Sequence, residues 1–281
     1  MNPSQDRSIG IFDSGVGGLT VARSVIDLLP NEHILYFGDT ARGPYGPRDL
    51  DEVADFAFEI MDWLVAEGSK MIVMACNTAS AAALDQARAH YTLPLVDVLE
   101  PAVRAAVRAT RNGRIGVIGT QATIRSGRYD EVLAWARQDV TLVGQACPRF
   151  VEMVETGQTY GEEVLALARE YLEPVRREGI DTLILGCTHY PLLTGVIQFV
   201  MGPDVVLVSS AEVTAVKVYE WLTNLGMLRQ DGPPPERRFA CSGDSASFKR
   251  LCARFLGPEV GGVEERRMGR AGESGEAASW S

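Results

Sequence analysis

Short β-branched apolar runs take turns with longer stretches whose apolar residues recur at helical spacing. This regular exchange constrains the fold more than any other feature of the 281 residues. Residues 8–13 (SIGIFD), 33–37, 70–75 (KMIVMA) and 95–98 read as strands, and residues 17–29, 52–65 and 78–90 read as the helices between them. Strands connected through helices run parallel, with right-handed crossovers. Strands that are apolar on both faces need helices above and below the sheet. The expected class is α/β, doubly wound and mostly parallel.

The pattern then restarts. Residues 114–119 (RIGVIG) repeat the order of the opening SIGIFD, and TLIL at 182–185 runs into Gly186-Cys187-Thr188 much as KMIVMA runs into Cys76-Asn77-Thr78. The interval from Cys76 to Cys187 nearly equals that from Gly10 to Gly116, which suggests two related α/β units. A helix over 211–225, a Gly-Pro-Pro-Pro segment at 232–235, a strand over 238–241 and a helix over 246–255 follow. With the central unit as an insertion, these last elements pack back on the first. The expected organisation is a first α/β domain from 1–97 and 209–256, a second from 98–208, and a flexible tail over 257–281. The tail is rich in Gly, Glu, Arg and Ser and cannot bury enough apolar surface to offset its ordering entropy.

Charge and cysteine usage narrow the function classes. With 27 basic against 37 acidic residues and a net charge of −10, Arg is scattered among Glu and Asp, so nucleic acid is not an expected partner. No apolar run approaches the ~20 residues of a membrane helix, and the N-terminal residues lack the apolar core of a signal peptide. Five cysteines, odd in number and irregularly spaced, suit a reducing compartment where thiols stay free. A soluble cytoplasmic protein is expected.

Ligands of open α/β sheets bind beyond the carboxyl ends of the strands. Cys76 and Cys187 each stand there, where a buried strand gives way to a helix, and each is followed by polar residues. A helix N-terminus lowers a thiol's pKa and also suits a carboxylate. Either cysteine alone reads as a small buried hydrophobe; as a matched pair they read as functional. His189, two residues past Cys187, is placed to orient or deprotonate a thiol, whereas His33 and His90 read as surface or loop positions. Asp13 ends the first strand, before Ser14-Gly15-Val16-Gly17-Gly18, and suits both a ligand-facing and a helix-capping role. These glycines permit close backbone approach but do not complete a phosphate-binding GxGxxG or P-loop pattern. No Cys-x-x-Cys or His-x-x-x-His spacing points to zinc, and no metal is expected. The loop over 38–47, with three Gly and two Pro, is either ligand-facing or a rigid surface turn.

Assembled in order, FDSGVGGLTV (12–21), GDTARGPYG (38–46), ACNTAS (75–80), CPRFVEMVETG (147–157) and LGCTHYPLL (185–193) resemble the cofactor-independent aspartate/glutamate racemases, and GPYG with GCTHYP resembles their glutamate branch. The resemblance covers the chain to about residue 256. It implies two similar domains with the active site in the cleft between them, glutamate as substrate, no cofactor, a role in supplying D-glutamate for peptidoglycan, and a homodimer as the common assembly. It also implies a two-base mechanism in which Cys76 deprotonates D-glutamate and Cys187 L-glutamate, with Asp13 assisting the first and His189 with Glu155 the second. With each sulfur ~3–3.5 Å from Cα, the two would lie roughly 7 Å apart in the closed enzyme. Ser14, Tyr45, Gly46, Asn77, Thr78, Thr188 and His189, with Asp13, would line the substrate pocket, and Thr120 and Thr123 would add hydroxyls for a carboxylate. The charged Arg149-Phe150-Val151-Glu152 stretch departs from the family's more apolar pattern and leaves open whether Glu152 or Glu155 takes the role. The alternatives are a related aspartate or hydantoin racemase, a maleate isomerase, or a non-catalytic amino-acid-binding protein.

Overall fold

The computed structural model describes residues 5–268 except 137, 138, 231, 258, 259 and 261. The first sheet is built by β1 (Ile9–Asp13), β2 (Ile34–Gly38), β3 (Met71–Met74) and β4 (Leu95–Asp97), linked by α1 (Leu19–Leu28), α2 (Leu50–Ala66) and α3 (Asn77–His90). After α4 (Leu99–Ala109), the second sheet takes β5 (Arg114–Gly119), β6 (Thr141–Ala146), β7 (Thr182–Gly186) and β8 (Val206–Ser209). Its helices are α5 (Gln121–Arg125), α6 (Arg128–Ala136), α7 (Arg149–Thr156), α8 (Glu162–Arg177) and α9 (Thr194–Met201). The chain returns through α10 (Ser210–Asn224) to add β9 (Arg237–Cys241), α11 (Ser245–Leu256) and β10 (Val263–Glu265) to the first sheet.

The first sheet has the order β10-β9-β2-β1-β3-β4 and the second β6-β5-β7-β8, and every strand pair described is parallel. Both sheets therefore carry the same local order, with the strand preceding Cys76 or Cys187, β3 or β7, beside the first strand of its unit. The apolar patterning explains the layers. Every residue of β1, β2, β3 and β7 is buried, so these strands need cover on both faces. Ile9, Ile11, Tyr36, Met71 and Val73 face one core, and Phe12, Leu35, Phe37, Ile72 and Met74 face another under α2 and α3.

The expectation of a flexible tail from 257 is corrected over its described part. Val263–Glu265 pairs in parallel with β9 as the sheet's outer strand. An outer strand has one hydrogen-bonded neighbour and can keep its charges in water, so a polar sequence suffices. Val260 is buried, the Glu265 carboxylate accepts from the Ser245 N–H (2.9 Å) and hydroxyl (2.6 Å), and the Arg266 N–H donates to the Cys241 carbonyl. Residues 258, 259, 261 and 269–281 of the expected tail lie outside the described residues.

At the edge remote from the strands' carboxyl ends, a buried ion pair and its hydrogen bonds tie four segments together. Lys70 Nζ lies 2.6 Å from the Glu32 carboxylate, with both side chains buried, and donates to the carbonyls of Gln5 and Met227. The Arg229 N–H donates to Glu32 Oε1, and its guanidinium to the carbonyls of Asn31 and Pro233. Removing one partner of a buried pair leaves the other charge uncompensated. Glu32→Ala is therefore expected to cost about 3–5 kcal/mol in urea unfolding; an unchanged midpoint would show that Lys70 is solvated without its partner.

Candidate active site

The carboxyl ends of both sheets open onto one cavity of about 400 Å³. Its wall holds Ser14, Gly15 and Val16 after β1, Thr40 and residues 43–47 after β2, and Cys76, Asn77 and Thr78 after β3. Across from these stand Thr120 and Gln121 after β5, Pro148, Val151 and Glu155 after β6, and Cys187, Thr188 and His189 after β7. One thiol from each sheet thus faces a common space. That size is within the usual range for a small-molecule site.

The two thiols sit in different surroundings. Cys76 is the N-cap of α3, and its Sγ accepts from the Ala79 N–H at 3.4 Å. Burial pushes this thiol up to about 12, the charge of Asp13 adds to the rise, and hydrogen bonds from Ala79 and Ser14 oppose it. The lowering expected of a helix N-terminus is present in the Ala79 N–H contact, but removal from water beside a carboxylate outweighs it. Cys187 has no such helix after it. The chain enters a turn and then a short 3-10 helix, Tyr190–Leu193, with Pro191 in its first turn. Its partner is instead an imidazole, His189 Nδ1, 3.8 Å from Sγ.

His189 links outward to Glu155, whose Oε1 lies 3.1 Å from Nε2. Burial acts to lower the pKa of His189. The hydrogen bonds with Cys187 and Glu155, and the charges of Cys187 and Asp13, outweigh it and push the pKa up to about 10. Glu155 stands in the cavity wall, whereas Glu152 is exposed and outside it.

Asp13 does not line the cavity. It is fully buried behind the wall, where Oδ2 accepts from the Gly15 N–H (3.0 Å) and Oδ1 from the Thr188 hydroxyl (3.4 Å). Burial raises its pKa, against the charge of His189 and the hydrogen bonds from Gly18, Gly15 and Thr188. Gly17 explains how the two units meet so closely. A Cβ there would fall 2.4 Å from Thr188 Oγ1 and 2.5 Å from the His189 ring.

The loop over 38–47 lines the cavity and is tied down by buried hydrogen bonds. The buried Asp39 carboxylate takes the Tyr45 hydroxyl, Arg42 Nε (2.7 Å) and the Ser242 hydroxyl (2.6 Å), which draws Tyr45 into the wall. Its Gly46 carbonyl accepts from Ala122 N in the other unit at 3.0 Å. Asn77 is fixed by the Tyr129 hydroxyl on its Oδ1 (2.8 Å), which leaves its buried Nδ2 without a hydrogen-bond partner among the described residues. The Thr78 hydroxyl lies 3.0 Å from that of Thr120 and 3.1 Å from that of Thr123, the latter set behind the wall.

Several wall residues escaped the sequence reading: Gln121, Val151 and above all Leu251 of α11. Val151 lies within the CPRFVEMVETG motif and could have been found there. Leu251 lies outside every motif, and only the return of the chain to the first sheet brings it in.

The profile of the Asp/Glu/Hydantoin racemase family matches residues 10–218. The chain belongs to this family. Among its relatives in the family, the glutamate racemase of Mycobacterium leprae (strain TN) is 58% identical over 261 residues, covering 92% of this chain and 96% of that protein. A crystal structure of a glutamate racemase isoform from Bacillus anthracis superposes with a TM-score of 0.91 at 41% identity, covering 94% of this chain and 98% of the other. The glutamate racemase of Francisella tularensis, solved with D-glutamate, gives a TM-score of 0.88 at 34% identity over the same shares. The racemase family thus shares this paired α/β architecture with the present chain.

Proposed function

We propose that the protein interconverts L- and D-glutamate by proton transfer at the α-carbon, using Cys76 and Cys187 as the two bases and no cofactor. The observation that carries this reading is the pair of thiols, one after β3 and one after β7, in the wall of one cavity. Inverting a stereocentre requires removing a proton from one face and supplying one to the other, and a thiol for each face allows the reaction to run both ways.

In the L-to-D direction, the Cys187 thiolate, stabilised by the His189 imidazolium, takes the α-proton, and the Cys76 thiol delivers its own to the opposite face. The surroundings suit this form: Cys76 is held as a thiol, and His189 is held protonated beside Cys187. In the reverse direction the roles exchange, and the substrate's α-ammonium group brings a positive charge that favours a Cys76 thiolate. Charge developing at Cα is delocalised onto the α-carboxylate. Asn77 Nδ2 and the N–H groups opening α3 supply donors for it. Ser14, Tyr45, Gly46, Thr78, Thr120 and Thr188 would orient the substrate, with Asp13 and Thr123 acting from behind the wall. The same proposal divides the chain into domains 1–97 with 209–256 and 98–208, meeting at this cavity.

Pure L-glutamate incubated in D2O with the protein and no added cofactor is expected to yield D-glutamate carrying deuterium at Cα; the absence of both would overturn the reading. Aspartate, hydantoins and maleate in the same assay separate the related isomerases, and binding without isotope exchange would favour a binding protein. The sign of the pH dependence follows from His189. With L-glutamate as substrate, kcat/KM is expected to hold while the imidazolium persists and to fall as pH rises through about 10; a pH–rate profile rising through that region would contradict this. Supply of D-glutamate to peptidoglycan in the cytoplasm completes the proposal. It is consistent with five buried free thiols and with the absence, among the described residues, of a helix long and apolar enough to cross a membrane.

A further inference from the structure

We infer that Arg254 of α11 is a positioning residue that holds Glu155 against His189 from across the two units. The inference rests on the reading of the site proposed above, and it assigns a purpose to a helix that no motif singled out. Leu251, Arg254 and Phe255 are spaced i, i+3 and i+4 and so share one face of α11. That face meets the Cys187 side of the site at three points. Leu251 stands in the cavity wall, the Phe255 ring lies edge-on to the His189 imidazole (6.3 Å, 90°), and Arg254 donates to the Glu155 backbone carbonyl at 2.9 Å.

The accepting carbonyl belongs to the last turn of α7, where carbonyls lack partners within the helix. The turn is closed by Gly157 at φ +83°, whose N–H donates to the Val154 carbonyl, and by the Gln158 N–H on the Met153 carbonyl. A Cβ at position 157 would come 3.1 Å from the Arg254 guanidinium. The glycine thus supplies both the left-handed turn and the room for the arginine to reach Glu155. The Glu155 side chain is 43% exposed and holds His189 through one contact. A carboxylate so open to water depends on its backbone being fixed if it is to stay in place. Arg254 is itself exposed, so its presence serves no core. The groups facing His189 are Cys187 and Glu155 from its own unit and Asp13 from β1, with Arg254 reaching the dyad from α11.

The test compares the full-length protein with R254A, R254K, E155Q and the R254A/E155Q double variant. It reads the pH profile of kcat/KM for L-glutamate and the titration of the His189 imidazole by NMR. Loss of the carboxylate contact lowers the imidazole's affinity for its proton. R254A is therefore expected to move the alkaline limb and the imidazole titration down by about one pH unit, in the same direction as E155Q. R254K should restore both, and the double variant should match E155Q alone. A wild-type limb and titration in R254A, or a double variant shifted by the sum of the two single shifts, would overturn the inference. The imidazole titration needs no turnover, so it judges Arg254 even if the protein fails to racemise glutamate, an outcome that would defeat the functional reading instead.

Discussion

Serine in place of either Cys76 or Cys187 is expected to reduce racemisation by ~10²–10⁴-fold, the usual worth of a positioned acid or base, while leaving the fold intact. Each thiol is buried, and serine is the smaller isostere, so packing changes little. The two variants should differ in what they retain. C76S keeps the Cys187–His189 pair and should still exchange the α-hydrogen of L-glutamate with D2O, returning deuterium to the same face. C187S should exchange only D-glutamate. NMR of each enantiomer in D2O reads this directly. Exchange of both enantiomers by both variants would mean that a single group serves both faces.

Gly17→Ala is expected to lower kcat about 100-fold and to cost about 1–3 kcal/mol of stability, which lowers the melting temperature without unfolding the protein. The added methyl would occupy space 2.4 Å from Thr188 Oγ1 and 2.5 Å from His189 Cε1 and Nδ1. No real side chain tolerates such separations, so Thr188 and His189 must move. A displacement near 1 Å at reacting groups costs on the order of 10²-fold. His189 would then lose its geometry with Cys187 and Glu155 together, and Thr188 its hydrogen bond to Asp13. Steady-state kinetics with a circular dichroism melt tests this. Parental kcat would show that the junction between the units is soft and that its geometry does not govern the rate.

The architecture was legible because periodicity reports burial. The runs 8–13, 70–75, 114–119 and 182–185 coincide with β1, β3, β5 and β7 to within about a residue, since each must be apolar on both faces. The segment from 121 to 178 yields no element from sequence periodicity. It carries β6, whose residues are exposed or half-buried and so lack a continuous apolar run, and α8, which contains Pro174. At the site, Cys76, Cys187, His189 and the DSGVGG glycines were visible as strand-end chemistry. Which side chains approach those glycines was not visible, because Thr188 and His189 arrive from the far half of the chain. Asp13 suits both a ligand-facing and a capping role by sequence, and it lies behind the wall, where its carboxylate accepts from Gly15 and Thr188. The equivalence of the two thiols ends after Cys187, where the chain enters a turn and a 3-10 helix instead of an α-helix.

A crystal structure of the protein with glutamate bound tests the central claim most directly. The account predicts the substrate's α-carbon between the sulfurs of Cys76 and Cys187, each ~3–3.5 Å away and on opposite faces of the carbon. Both sulfurs on one face, or either one beyond reach of the α-carbon with the ligand fully seated, would contradict it.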